Sequence, residues 1–383
     1  MRRAFVVVLD ACGVGAAADA AEYGDAGTNT LAHLAEHLGG LELPTLQRLG
    51  LGSILPLAGV APSREPSLHG RLDPLGPGKD STAGHWGLMG VAAADPPPTY
   101  PSGFPPDVLE LVRAASGRGV ICNRPDNGLA AIEEFGAAHV AGGDLIVYTS
   151  QDSVLQIAAH VDVVAPADLY AICERVRAAM TGEHAVGRVI ARPFAGEEGS
   201  YERTDGRRDY ALAPPAPSYL QALQDHGVPV HSVGKVAQLF AGVGIDVEHP
   251  GATNDRALEE TTALLAGLED GFVFTNLIET DQVYGHRHDF HGFAGALRRI
   301  DDRVGAWLDM LREEDLLILT ADHGCDLTSP RTDHTRERAP LLACFAGHGG
   351  RRHDGVLADV GAAVLAWLGD GARAPDLPGR SFV

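Results

Sequence analysis

Three aspartates stand just past the ends of three short apolar runs. AFVVVL (4–9) leads into Asp10, GFVFTNLIET (271–280) into Asp281, and DLLILT (315–320), after Ala321, into Asp322 and His323. His286 lies five positions after Asp281, a spacing that suits a turn rather than one helical face, and His334 lies eleven after His323 in TDHTRE. Carboxylate and imidazole together suit Mn²⁺ or Zn²⁺, whereas Ca²⁺ and Mg²⁺ favour oxygen alone. Asp10, Ser81, Asp281, His286, Asp322, His323 and His334 make seven donors, too many for one ion and about right for two. Paired metals about 3.5–4 Å apart clamp both oxygens of an in-line phosphoryl displacement. Two dications bring +4 and the three aspartates −3, and the surplus favours an incoming phosphate.

Ser81 sits in GKDSTAGHWG (78–87). Asp-Ser-Thr sequences often cap helices. At a dimetal site the same hydroxyl would ionise readily and attack phosphorus, with the N–H groups of the following helix holding phosphate oxygens. The two readings are compatible. His85 beside it is open between packing and function. Cys12 and Cys325 lie near the acidic residues and read as small side chains packed under loops.

Positioning these groups requires strands that end at one level. The runs above, with VPVHSVG (228–234) and PLLACFA (340–346), read as strands. TNTLAHLAEHLGG (28–40), 254–268 with an Asn cap, 293–311 and 356–368 read as helices. Alternation of this kind implies an α/β fold with a mainly parallel sheet flanked by helices, and ligands gather beyond the carboxyl ends of such strands. Two proline-rich stretches, ADPPPTYPSGFPP (94–106) and ALAPPAPS (211–218), read as linkers. They predict a split core domain of residues 1–95 and 217–383 and an inserted α+β cap of residues 96–216, whose strands include DLIVYTS (144–150) and VGRVIARPF (186–194).

The chain has 383 residues, 45% of them apolar, enough for two domains. Thirty Lys and Arg against 51 Asp and Glu give 30 − 51 = −21, which excludes a basic nucleic-acid footprint. The five cysteines are widely spaced with no CxxC, which argues against a disulfide framework and fits a reducing cytosol. The apolar run after Met1-Arg2-Arg3 is shorter than the usual signal core of about 7–15 residues, and nothing approaches the ~20 that span a bilayer. The expectation is a cytoplasmic protein with an intact N-terminus.

VVLDACGVG, GKDSTAGHW, IVYTSQDSVLQIAAH, VGRVIARPF, RRDYAL, YGHRHD, TADHG and TDHTRE resemble the phosphopentomutase family of the alkaline phosphatase superfamily, over nearly the whole chain. The YTSQDSVLQIAAH run is distinctive of that family rather than of the superfamily. The resemblance implies an alkaline-phosphatase-like core carrying two Mn²⁺ ions (Zn²⁺ shares these donors) and a cap that gives specificity. It implies Asp281, His286 and His334 on one metal, and Asp10, Asp322 and His323 on the other. It places the phospho-acceptor, commonly threonine, at Ser81, and has Gly87 where glutamate is expected. Sugar-phosphate contacts map onto Ser150 and Asp152, with Arg188 and Lys235 on phosphate and Arg207 and Arg208 as weaker matches. The implied reaction interconverts α-ribose 1-phosphate and ribose 5-phosphate, and the 2-deoxyribose pair, in nucleoside salvage. It runs through a phosphoserine and a 1,5-bisphosphate, primed by glucose 1,6-bisphosphate or ribose 1,5-bisphosphate. A metal-dependent phosphatase or a phosphoglycerate mutase of the same superfamily shares the dimetal residues, and a non-catalytic sugar-phosphate or metal sensor is the alternative from another class. The expected partners are small pentose phosphates, not nucleic acid or membrane.

Overall fold

The computed structural model describes residues 2–95, 97–150, 153–347 and 349–383. The chain forms two compact units, Met1–Asp95 with Pro214–Val383, and Pro96–Ala213. The second junction falls inside ALAPPAPS, where consecutive prolines leave few backbone donors to continue either fold.

The first unit is built on an eight-stranded sheet in the order Val247–His249, Val230–Val233, Gly271–Leu277, Arg3–Leu9, Asp315–Thr320, Ala339–Cys344, Leu68–Asp73, Gly355–Val356. The first five strands run parallel, while Ala339–Cys344 reverses against both its neighbours. Arg3–Leu9, Gly271–Leu277 and Asp315–Thr320 are buried along their whole length, as strands covered on both faces must be. Their register sets the site. Leu9 pairs with Leu277 and Val8 with Thr320, so Asp10, the turn after Leu277 and the Ala321-Asp322 step leave the sheet at one level.

The helices read over 28–40 and 356–368 start at Thr30 and Asp359, and at two others the cap differs from the sequence reading or moves the start. The helix Asn254–Gly267 is capped by Thr253, whose side chain accepts from the Arg256 N–H at 3.3 Å. Asn254 is engaged elsewhere, exchanging hydrogen bonds of 3.1 and 3.2 Å with Glu279. The helix over 293–311 starts earlier, at Phe290, because Asp289 caps it.

The second unit holds a mixed sheet in the order Val120–Pro125, Leu145–Thr149, Val154–His160, Arg188–Ala195, Glu202–Arg203, with Arg208–Ala211 also on Arg188–Ala195. Alternate residues of its strands point to opposite faces. Leu145, Val147, Leu155 and Ile157 pack with the helices Pro106–Ser116 and Pro166–Ala179, and Ile146, Tyr148 and Phe194 pack with Gly128–Gly142. Among the described residues no helix is long and apolar enough to cross a membrane.

Candidate metal centre

The ends of three neighbouring strands bring the acidic residues together. Asp10 follows Leu9 directly, and the chain turns away at once through Ala11, held at φ 62° with its N–H on Asp322 Oδ1 at 3.2 Å. A left-handed alanine is a strained conformation and persists only where the surroundings over-determine it. Asp281 lies in the single wide turn Thr280–Tyr284, whose Thr280 hydroxyl donates to the Asp10 carbonyl at 2.6 Å. That turn and the tight Gly285–Arg287 turn bring His286 back over Asp281.

Two donor groups result, Asp281 with His286 and His334, and Asp10 with Asp281 and His323. Asp281 borders both. Asp322 Oδ2 lies 3.4 Å from His323 Nε2 and 3.1 Å from His85 Nδ1. Asp10 Oδ1, Asp281 Oδ1 and Asp322 Oδ2 are buried and make no hydrogen bond. The imidazoles are aimed at those same oxygens. His286 Nδ1 donates to the Thr332 carbonyl at 2.5 Å, which leaves Nε2 bare and 3.3 Å from Asp281 Oδ1. His323 Nδ1 donates to the Gly324 carbonyl at 3.0 Å, which leaves Nε2 3.3 Å from Asp10 Oδ1. Acceptor facing acceptor around buried carboxylates calls for cations. A backbone carbonyl on the far ring nitrogen is also how metal-binding histidines are oriented. The residues fit divalent metal.

The electrostatics agree. Burial and the neighbouring Asp322 carboxylate raise the Asp10 pKa to about 6. Burial also pushes Asp322 up, but His323 and His85 outweigh it and bring that carboxyl down to about 2. Asp281 is buried too, yet the His286 and His334 imidazoles, 3.3 and 3.4 Å from its Oδ1, hold it well below the usual carboxylate range. The same contact raises His286 to about 9. Without a cation the cluster meets its charge deficit by keeping protons on imidazole, and metal binding releases them.

Ser81 Oγ lies 3.1 Å from His323 Nε2. It is the first residue of the helix Ser81–Leu88, and the cap is Asp80, not Ser81. Asp80 Oδ1 accepts from the N–H groups of Thr82 (2.8 Å) and Ala83 (3.1 Å), so those two donors, expected to hold phosphate, are already engaged. The cap thus leaves the serine hydroxyl free of capping duty. The helix approaches the metal strand closely because Gly84 has no side chain: a Cβ there would sit 2.4 Å from the Asp322 carbonyl. Gly87 is less tightly packed: a Cβ there would lie 3.1 Å from the Leu357 side chain, which would have to shift by a few tenths of an ångström to admit one.

His85 belongs to the site. It is fully buried, its Nδ1 donates to the Ser81 carbonyl at 2.8 Å, and its Nε2 accepts from Asn276 at 2.9 Å. The Asn276 amide also donates to Asp10 Oδ2 at 2.9 Å, so one side chain orients both neighbours. Sequence reasoning missed Asn276, although an amide inside an otherwise apolar buried strand was the available signal. Cys12 and Cys325 are buried, and neither falls in the two donor groups.

Of the residues expected to contact substrate, Lys235 is in the first unit, after Gly234, with Nζ 2.5 Å from Gln282 Oε1. The others are in the second unit. Ser150 follows the strand Leu145–Thr149, and Arg188 opens Arg188–Ala195 with its N–H on Ser153 O at 3.2 Å. The Arg188 guanidinium is 3.6 Å from Asp209, Arg207 pairs with the same carboxylate at 2.7 Å, and Arg208 stacks over Tyr170 at 3.9 Å. Asp152 lies outside the described residues.

A parallel-stranded α/β core with carboxylates and imidazoles at its strand ends defines a class. The chain is a member of the metalloenzyme superfamily, whose family model matches residues 2–369. The solved structure of PH0037 from Pyrococcus horikoshii shares the fold, with a TM-score of 0.52 at 15% identity over 97% of this chain and 99% of that one. Within the class the chain belongs to the phosphopentomutase family. It is 46% identical to the phosphopentomutase of Caldanaerobacter subterraneus, covering 100% of this chain and 98% of that protein. To the phosphopentomutase of Anaeromyxobacter dehalogenans it is 45% identical over 96% and 95%.

Proposed function

We infer that this protein is a divalent-metal-dependent phosphopentomutase, an isomerase that moves a phosphoryl group between the 1- and 5-hydroxyls of ribose and of 2-deoxyribose. The observation that carries the mechanism is Ser81 Oγ standing 3.1 Å from His323 Nε2, among buried carboxylate oxygens that nothing else satisfies. Support for the substrate class comes from full-length identity to phosphopentomutases.

Asp281, His286 and His334 would hold one ion and Asp10, Asp322 and His323 the other. Mn²⁺ is the ion we favour, because it accepts mixed carboxylate and imidazole donors. Bound divalent ions supply a lowered hydroxyl pKa and charge neutralisation on phosphate oxygens. Ser81 is the acceptor. Its phosphate passes to the free hydroxyl of a pentose monophosphate, giving a 1,5-bisphosphate, and the other phosphate of that intermediate returns to Ser81. A trace of glucose 1,6-bisphosphate or ribose 1,5-bisphosphate primes the first cycle. Asp80 fixes the helix start, and Asn276 and His85 hold Asp10 and the Ser81 carbonyl. Arg188, Lys235 and Arg208 supply positive charge for the distal phosphate, with Ser150 and Asp152 as sugar contacts. We assign residues 96–213 as the cap that selects the pentose and excludes water, since an exposed phosphoserine would hydrolyse. Salvage of nucleosides in the cytoplasm is the setting this chemistry suits.

Phosphorus NMR tests the reading, using the metal-loaded protein (exchanged into a diamagnetic ion where broadening demands it) with ribose 1-phosphate and trace glucose 1,6-bisphosphate. Ribose 5-phosphate should grow without inorganic phosphate, and Ser81→Ala should abolish it. Inorganic phosphate alone would mean a phosphatase.

A further inference from the structure

Arg336 follows the histidine His334 by two residues and is 5% exposed. Its Nε and Nη2 bind the Asp19 carboxylate at 3.1 and 2.8 Å, and its Nη1 donates to the carbonyls of Gly76 and Gly78, each at 2.6 Å. The guanidinium also lies over the Tyr23 ring at 4.9 Å, and the Tyr23 hydroxyl donates to the carbonyl between, Pro77 O, at 2.7 Å. Three successive carbonyls of the loop before Ser81 are thus held from one side. Gly76-Pro77-Gly78 has little means of holding itself, since its glycines have no side chains and its proline no N–H. Lys79 completes the anchorage, bridging Asp25 at 3.1 Å and Asp333 at 3.3 Å. The residues on either side of Arg336 face elsewhere: the Glu337 carboxylate accepts from the Thr335 hydroxyl and from Thr30, both at 2.8 Å.

We propose that Arg336 is the positioning residue for the phosphoryl acceptor: it fixes the 76–79 loop, and through it Ser81, against the loop that carries His334. The assignment rests on Ser81 being the acceptor. Only a planar fork can bind a carboxylate through two nitrogens and two carbonyls through the third, and a lysine ammonium offers a point charge instead. A loop released from this fork would let the hydroxyl drift from His323, and misplacement by about 1 Å costs on the order of 100-fold in rate.

The test is rapid-quench labelling of Ser81 by glucose 1,6-bisphosphate in Mn²⁺-loaded wild type, Arg336→Lys and Arg336→Met, with metal content and thermal melting measured alongside. Labelling should slow about 100-fold in Arg336→Met at full metal content. Arg336→Lys should fall between, the KM for ribose 5-phosphate should hold, and added guanidinium should restore part of the rate in Arg336→Met. An unchanged labelling rate would overturn the proposal, as would a loss that tracks lost metal, or a raised KM at constant kcat. If Arg336→Met does not fold, Arg336→Lys decides by the same criteria. Wild type that never labels on Ser81 would overturn the proposed function itself, and this assignment with it.

Discussion

At the amino ends of the central strands one buried charge meets another, and at their carboxyl ends three buried carboxylates meet no adequate partner. Arg3 and Asp315 sit in register across adjacent strands, joined through both carboxylate oxygens at 2.8 and 2.5 Å. Arg3 also donates to the carbonyls of Leu265 and Leu268 at 2.7 and 3.0 Å. Asp10, Asp281 and Asp322, at the other end of the same sheet, each leave one buried oxygen without a hydrogen bond. The first end is electrically complete and serves stability. The second is short of positive charge and serves binding. A buried charge with every atom partnered is architecture; one left unpartnered needs an explanation, which here is metal.

The widest separation of the two ends should come from Asp10→Asn. It keeps the side chain's shape and removes one metal-facing charge. Metal retention and mutase activity should fall at least about 100-fold, the scale reached by loss of even an outer-shell partner. The metal-free variant, measured near pH 8 by thermal melting, should melt at or above metal-free wild type, because Asp10 carries its charge there at a cost. Full activity, or a much lower melting point, would break the comparison.

Arg3→Met probes the completed end. It strands the Asp315 carboxylate, and loss of one partner of a buried pair costs about 3–5 kcal/mol. The urea midpoint should drop accordingly while metal content and activity of the folded protein stay at wild-type values. Replacing both partners by apolar residues should recover much of the loss. A wild-type midpoint in Arg3→Met, or depleted metal, would show that the ends do not divide the work.

The smallest effect is the pH dependence of the metal-free protein. Asp10 is raised from 3.8 to about 6, so its contribution is fullest below 3.8 and is lost as pH rises through 6. His286 is raised from 6.5 to about 9, so its contribution is present below 6.5 and is lost as pH rises through 9. Asp322, lowered to about 2, acts only at the acid extreme, where stability is lost as pH falls. The melting temperature of chelator-treated protein should therefore decline between about pH 5 and 9. In the metal-loaded protein rising pH strengthens binding and offsets the decline. A flat or rising profile without metal would remove the electrostatic account.

Much of the site was readable because its residues follow strands directly. A short apolar run bounded by an acidic residue marks both the element and the point where its side chains leave the sheet, as at Asp10 and Asp322. Residues whose role comes from distant partners were not readable. Asn276 stands in a strand and gains its task only from His85 and Asp10, 191 and 266 positions away. Arg336 was visible within TDHTRE, but its carbonyl partners lie some 260 positions earlier. In sequence the capping role fell on Ser81, and only the backbone direction at residue 80, extended at φ −103° and ψ 169°, gives the cap to Asp80.

The sequence by itself determined the parallel α/β character, the kind of ion the donors suit and the residues at the strand ends, because these follow from local periodicity and side-chain chemistry. The tertiary structure decided which lone pairs face one another, which carboxylate oxygens are left unsatisfied, which strand reverses and how the loop before Ser81 is held. Those depend on register and on contacts between segments hundreds of residues apart. Burial and hydrogen bonding, unlike periodicity, have no value until such segments meet.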